Sequence, residues 1–103
     1  MPGRDSKPAI EIPRKATFTI GDGRRCAGWI VGLSVAGLML EAPEPPPLDA
    51  QVLIVTELWD GEGDLVLRGR VQWSSAMRFS VQLGPLGVRE TSAIVRFNRR
   101  SAA

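Results

Sequence analysis

The sequence predicts an all-β domain, namely a six-stranded antiparallel β-barrel followed by one short C-terminal helix. Short runs of apolar residues recur along the 103-residue chain, and turn-forming residues separate them. Several of these runs alternate apolar and polar side chains, which is typical of strands with one buried face. Closing such a sheet into a barrel leaves no exposed edge strand, so a barrel is the expected arrangement.

The first two predicted strands form a hairpin. Residues 14–20 alternate apolar and polar side chains, which predicts a strand with one face toward solvent. Gly21-Asp22-Gly23 then predicts a tight turn. Residues 24–31 return as the second strand, in which Trp29 and Ile30 favour β structure.

The middle of the chain predicts two further strands on either side of a proline-rich loop. Residues 38–40 are apolar and form the third predicted strand. Prolines at 43 and 45–47 exclude a helix or a central strand, so the segment 41–49 is predicted to be a stiff surface loop. Residues 51–58 form the fourth strand, which is continuously apolar at its centre and is predicted to be buried on much of both faces.

The fifth and sixth predicted strands show the clearest alternation. Residues 65–73 place Val71 and Trp73 on one face, and residues 78–83 alternate again. The inward positions of all the strands together predict the core. The predicted core residues are Phe18, Ile20, Ile30, Leu38, Leu40, Val52, Ile54, Leu67, Val71, Phe79 and Val81.

The C-terminal segment predicts a short helix over residues 90–98, because apolar residues three and four positions apart share one face there. The folded domain is therefore predicted to span residues 14–98. A flexible N-terminal arm over residues 1–13 is predicted before it, and a basic tail over residues 99–103 after it.

Composition excludes most catalytic and membrane functions. The chain has no histidine, and its single cysteine, Cys26, therefore has no imidazole to activate it. Neither a cluster of metal ligands nor a phosphate-binding loop is recognisable, so we expect no enzyme and no cofactor. No apolar run approaches the roughly 20 residues that cross a bilayer, the N-terminus lacks a signal-peptide core, and one cysteine permits no internal disulfide. A cytoplasmic location is expected.

Two motifs resemble those of the PilZ domain, a small bacterial β-barrel known as a receptor for cyclic di-GMP. Residues 29–40 resemble its corner motif, which reads Asp or Asn, any residue, Ser, any two residues, Gly. Ser34 and Gly37 match this motif, whereas Gly32 stands where the family has its acidic or amide residue. Residues 69–73 resemble the family's strand ending in small-x-Val-x-Trp.

The resemblance also implies where a nucleotide would bind. Receptors of this family carry an RxxxR motif just before the first strand, and its arginines clamp the phosphates and guanines of cyclic di-GMP. This chain has no such motif, and Lys7 and Glu11 fall near the two arginine positions. The residues that would bind the ligand, if binding is retained, are Lys7, Arg14, Lys15, Ser34, Gly37 and Trp73.

The leading hypothesis is a degenerate, stand-alone PilZ domain that acts as a signalling adaptor. The resemblance links such proteins to motility, type IV pili and cyclic di-GMP pathways. The incomplete motifs predict a protein partner, with cyclic di-GMP binding that is weak or absent. An exposed apolar surface on the barrel or helix would also permit a homodimer.

Two alternatives stay open. The first is a true cyclic di-GMP receptor in which Arg4, Lys7, Arg14 and Lys15 form an irregular basic clamp. The second is a small nucleic-acid-binding barrel that uses a basic stripe of outward arginines on neighbouring strands. The near balance of 13 basic and 11 acidic residues disfavours the second alternative. The residues of that stripe are Arg68, Arg70 and Arg78.

Overall fold

The computed structural model describes residues 13–59 and 61–102. The chain forms strands with short connections and then one helix. The strands are β1 (Arg14–Ile20), β2 (Arg25–Leu33), β3 (Gly37–Glu41), β4 (Gln51–Thr56), β5 (Leu65–Ser74) and β6 (Arg78–Leu83), and the helix is α1 (Val88–Ala102).

The strands close into an antiparallel barrel in the order β1-β2-β3-β6-β5-β4, with β4 paired to β1. Every ladder between neighbouring strands is antiparallel. Each described strand therefore has a partner on both sides and leaves no open sheet edge. This architecture confirms the predicted fold class.

The core fills the inside of the barrel, as the alternation predicts. All the predicted core residues are buried, and Ile30, Leu40, Ile54, Leu67, Val71 and Phe79 have no measurable exposure. Phe18 and Phe79 meet edge to face at the centre, with their ring centroids 5.1 Å apart. Burial of these side chains is the main contribution to the stability of the barrel.

Two β-bulges interrupt the alternation. One lies in β2 between Ile30 and Gly32, and the other lies in β5 between Val71 and Trp73. A bulge inserts an extra residue, so the side chains that follow it change face. Trp73 is therefore 46% exposed on the outer face, and the prediction that it shares a face with the buried Val71 is wrong.

Two element boundaries also differ from the prediction. Strand β4 ends at Thr56, two residues early, and Leu58 is buried within the loop that follows. Helix α1 begins at Val88 and continues through Ala102, so most of the predicted basic tail is helical. Arginine is a good helix former and is favoured at the negative end of the helix dipole, which explains the extension. Apart from its last residue, the predicted arm over residues 1–13 lies outside the described residues.

The apolar face of α1 packs against the barrel. Ala93, Ile94 and Phe97 are buried, whereas Val95 is 40% exposed on the opposite side. This pattern confirms the predicted helical face. Within the described ranges no helix is long and apolar enough to cross a bilayer.

Polar contacts also fix the helix to the loop between β4 and β5. Arg96 lies 4.3 Å from the centre of the Trp59 ring and forms an ion pair of 2.7 Å with Glu62. The indole nitrogen of Trp59 donates a hydrogen bond of 3.3 Å to the carbonyl of Ala93. Arg89 donates to the carbonyl oxygen of Glu62 at 2.9 Å. The helix and this loop therefore hold each other in place.

Candidate functional site

The turn between β2 and β3 is organised by the hydroxyl group of Ser34. Its Oγ accepts hydrogen bonds from the backbone N–H groups of Ala36 and Gly37, at 3.2 and 3.3 Å. It also lies 3.3 Å from the carbonyl oxygen of Gly37, to which it donates. A serine hydroxyl has one donor and two acceptor sites. All three are used within the turn, so Ser34 has a structural role here.

Gly37 permits a close approach between β3 and β6. A Cβ atom at this position would lie 2.5 Å from the carbonyl oxygen of Val81, which is closer than real Cβ contacts. Any side chain here would push the two strands apart. The glycine of the motif is therefore required by packing, whether or not a ligand binds.

Gly32 has no comparable requirement. It lies next to the β2 bulge and pairs with Met39 across the sheet. A Cβ atom at position 32 would lie 3.7 Å from the Cβ of Met39, which is an ordinary van der Waals distance. The barrel therefore has room for the acidic or amide side chain that this chain lacks.

The outer face beside the turn forms a shallow depression of about 350 Å³, which we call the corner depression. Its lining contains no charged side chain. A phosphate placed here would meet no fixed positive charge among the lining residues. Its lining residues include Gly32, Ser34, Gly37, Met39, Gln72 and Ser80.

The bulge in β5 brings Trp73 beside this depression. Trp73 pairs with Ser80 on β6, which pairs with Met39 on β3, which pairs with Gly32 on β2. One row of residues thus runs across four strands from the turn to an exposed indole. Such a ring is suited to stacking on a planar group, which contributes about 1–3 kcal/mol per base.

The PilZ domain family matches residues 4–100 of this chain. The chain belongs to the PilZ domain family. The match covers the barrel, most of the helix and most of the N-terminal arm, and it confirms the resemblance found in the sequence motifs. A search among curated proteins finds no significant match.

A solved structure shows the same fold as this PilZ domain. It is the crystal structure of the PilZ domain of CeSA from a cellulose-synthesizing bacterium, with a TM-score of 0.71 and 21% sequence identity. The alignment covers 91% of this chain and 97% of that chain. At this identity the likeness establishes the fold, and the site has to be judged from its own residues.

The two described basic residues that are predicted to bind a ligand, Arg14 and Lys15, do not line the corner depression of this PilZ domain. The Nε of Arg14 donates a hydrogen bond of 2.9 Å to the carbonyl oxygen of Glu57, on the side of β1 next to β4. Lys15 is exposed on the outer face and pairs with Trp29 on β2, which pairs with Glu41 on β3. Its row across the sheet is therefore the one next to the row of Met39, which lines the depression. Lys7 lies outside the described residues.

The predicted basic stripe is divided in the structure. Arg78 forms an ion pair of 2.6 Å with Glu41 on the neighbouring strand. Arg68 and Arg70 lie on β5 and line a different groove. The sequence showed these arginines as outward, but it did not show the pairing of Arg78 because Glu41 is 37 residues away in the chain.

No group of three or more potential metal ligands occurs in the part of the chain that the structure describes. PilZ domains are binding and adaptor domains of bacterial cyclic di-GMP signalling, and their function depends on surfaces for ligands and partners. The two surfaces of interest are therefore the corner depression and the groove that Arg68 and Arg70 line on β5.

Proposed function

We propose that this PilZ domain acts as a signalling adaptor that recognises a protein partner and binds cyclic di-GMP weakly or not at all. The single observation that supports this most strongly is the chemistry of the corner depression. It is lined without a charged side chain, and the hydroxyl group of Ser34 is used by the turn. Neither feature suits a dianionic dinucleotide.

The energetic consequence of this chemistry is large. An arginine clamp supplies charge-assisted hydrogen bonds, each of which contributes about 1.5–3 kcal/mol. Gly32 also offers no side-chain acceptor for a guanine edge. Among the described residues beside the depression, Trp73 keeps the chemistry of a nucleotide site, namely an exposed ring on which a base can stack.

The proposed adaptor operates in the cytoplasm, in pathways that control motility or type IV pili. The family supports these assignments. A homodimer formed through the outer face is compatible with the same role, because exposed apolar side chains such as Trp29 and Met77 lie outside the core.

A pull-down with the tagged domain, performed with and without cyclic di-GMP, tests this function. We expect capture of a specific partner in amounts that do not depend on the dinucleotide. Resin that carries the tag alone is the control. Capture that requires cyclic di-GMP would contradict the proposed ligand independence, and the absence of any specific partner would contradict the adaptor role.

One observation favours a second candidate, a receptor with an irregular basic clamp. Strand β1 begins at Arg14 opposite Ile30, two residues before Gly32, so the arm joins the barrel near the corner depression. Lys15 is exposed on the same outer face. If this candidate is right, Lys15→Ala should abolish cyclic di-GMP binding. The matched control is Arg99→Ala at an exposed position of α1, which should leave this binding unchanged.

A further inference from the structure

A second surface of the barrel has the chemistry of a binding site for an anionic group. It is a groove of about 480 Å³ on strands β1, β4, β5 and β6, which we call the β5 groove. It shares no lining residue with the corner depression. Pockets that bind small ligands have volumes of about 300–1,000 Å³, and the volume of this groove lies within that range.

The β5 groove is electropositive. Arg68 and Arg70 line it, and no aspartate or glutamate does. Both arginine residues are exposed, and neither guanidinium group forms a hydrogen bond or ion pair with another described residue. Other arginines in the described ranges are neutralised, for example Arg78 by Glu41 and Arg96 by Glu62. The two guanidinium groups are therefore available to an outside anion.

The strand register fixes the spacing of these charges. Arg68 and Arg70 are alternate residues of one strand, so they point to the same face about 7 Å apart. In an extended peptide, alternate side chains also repeat about every 7 Å. Alternate carboxylates of an extended acidic segment can therefore face both guanidinium groups at once, each in bidentate geometry.

The remaining lining contains both polar and apolar side chains, and it contains no aromatic ring. Leu53 and Thr19 lie in one row with Arg68, whereas Gln51 and Gln82 lie in one row with Arg70. The two glutamine side chains can donate to or accept from a peptide backbone. A nucleotide base would find no ring for stacking here, which disfavours a nucleic acid or a free nucleotide.

We propose that the β5 groove binds an extended acidic segment of the partner protein through Arg68 and Arg70. This inference rests on the proposed adaptor function, because it names the surface and the chemistry by which that partner is held. The corner depression has no part in it. Charge complementarity and the matched side-chain spacing are the observations that support it.

The test uses a fluorescein-labelled peptide of eight glutamates, measured by fluorescence anisotropy at low salt. We expect saturable binding by the native chain, weakened about three- to fivefold by Arg68→Gln and by Arg70→Gln, as exposed charge pairs allow. The matched control is Arg99→Gln, which removes one charge from an exposed helical position and is expected to change the affinity by less than about twofold. The variants should unfold at the same temperature as the native chain because their side chains are exposed.

Nuclear magnetic resonance with the same peptide locates the site. We expect backbone amide shifts at Thr19, Leu53 and Gln82, and none at Ser34 or Trp73. Absence of binding, equal weakening by Arg99→Gln, or shifts elsewhere on the barrel would overturn the proposal. Tighter binding of single-stranded DNA or cyclic di-GMP at the same amides would also overturn it, in favour of a nucleotide site.

These results can be separated from those of the pull-down. Equal capture of a partner by the native protein and by the Arg68→Gln variant would contradict the proposal that the β5 groove binds this partner. It would leave the adaptor function intact. Peptide binding at the groove together with the absence of any specific partner leaves the groove as an anion site and contradicts the adaptor function.

Discussion

At the scale of single residues, two glycines of the corner have different physical requirements. A Cβ atom at Gly37 would meet the carbonyl oxygen of Val81 at a distance that excludes a side chain, whereas a Cβ atom at Gly32 would only reach van der Waals contact with Met39. The loss of the family's acidic residue at position 32 therefore has no steric cause. We expect the glycine to leave the stability of the barrel unchanged and to offer no side chain to a ligand.

The matched variants Gly32→Ala and Gly37→Ala test this difference. We expect Gly32→Ala to change the free energy of unfolding by less than about 1 kcal/mol, since the backbone there is ordinary for an L-residue. Gly37→Ala should lower it by about 1–3 kcal/mol because the new methyl group overpacks the β3–β6 contact. Urea denaturation measures both values. Equal losses in the two variants would contradict the assignment.

Ser34 gives the second prediction at this scale. Its hydroxyl group closes the turn through three short-range contacts. Ser34→Ala should therefore lower the free energy of unfolding by about 1 kcal/mol, the usual net contribution of a hydrogen bond. Chemical denaturation without any ligand present is the measurement. An unchanged free energy of unfolding in Ser34→Ala would contradict this prediction and would favour a role for Ser34 in ligand binding alone.

At the scale of elements, the helix depends on one buried aromatic side chain. Phe97 is 1% exposed, whereas Val95 lies on the outer side of the same helix. Phe97→Ala should lower the free energy of unfolding by about 3–5 kcal/mol. Val95→Ala, the matched control, should change it by less than about 0.5 kcal/mol. If Phe97→Ala were as mild as the control, the helix would not be part of the cooperative fold.

The elements also show what sequence patterns can predict. Alternation identified both faces of β1 and β6, because the side-chain period of a regular strand is two. It gave the wrong face for Trp73, since the bulge after Val71 has no signature in the residue types. The helix was predicted with the correct apolar face but was cut short at its arginine-rich end.

The candidate site was predicted only in part for a related reason. The motif letters located Ser34 and Gly37, but they did not show that the turn uses the hydroxyl group of Ser34. The hydrogen bond from Arg14 to the carbonyl of Glu57 joins residues 43 positions apart, so it could not be found from local spacing. The β5 groove likewise depends on the register of four strands.

At the scale of the whole molecule, a closed barrel separates two outer surfaces of different chemistry. The corner depression lies beside the exposed indole of Trp73, and its lining is uncharged. The β5 groove holds two exposed arginines without an acidic neighbour in its lining. The distribution of charge therefore favours recognition of an acidic partner over recognition of a dinucleotide at the family's motif.

Isothermal titration calorimetry of the native chain with cyclic di-GMP tests this central claim most directly. We expect no saturable heat of binding at low-micromolar ligand concentrations, because the described residues that line the corner depression include no charged side chain to contact a dianion. A saturable isotherm with a low-micromolar or tighter Kd would contradict the account and would identify the chain as a cyclic di-GMP receptor.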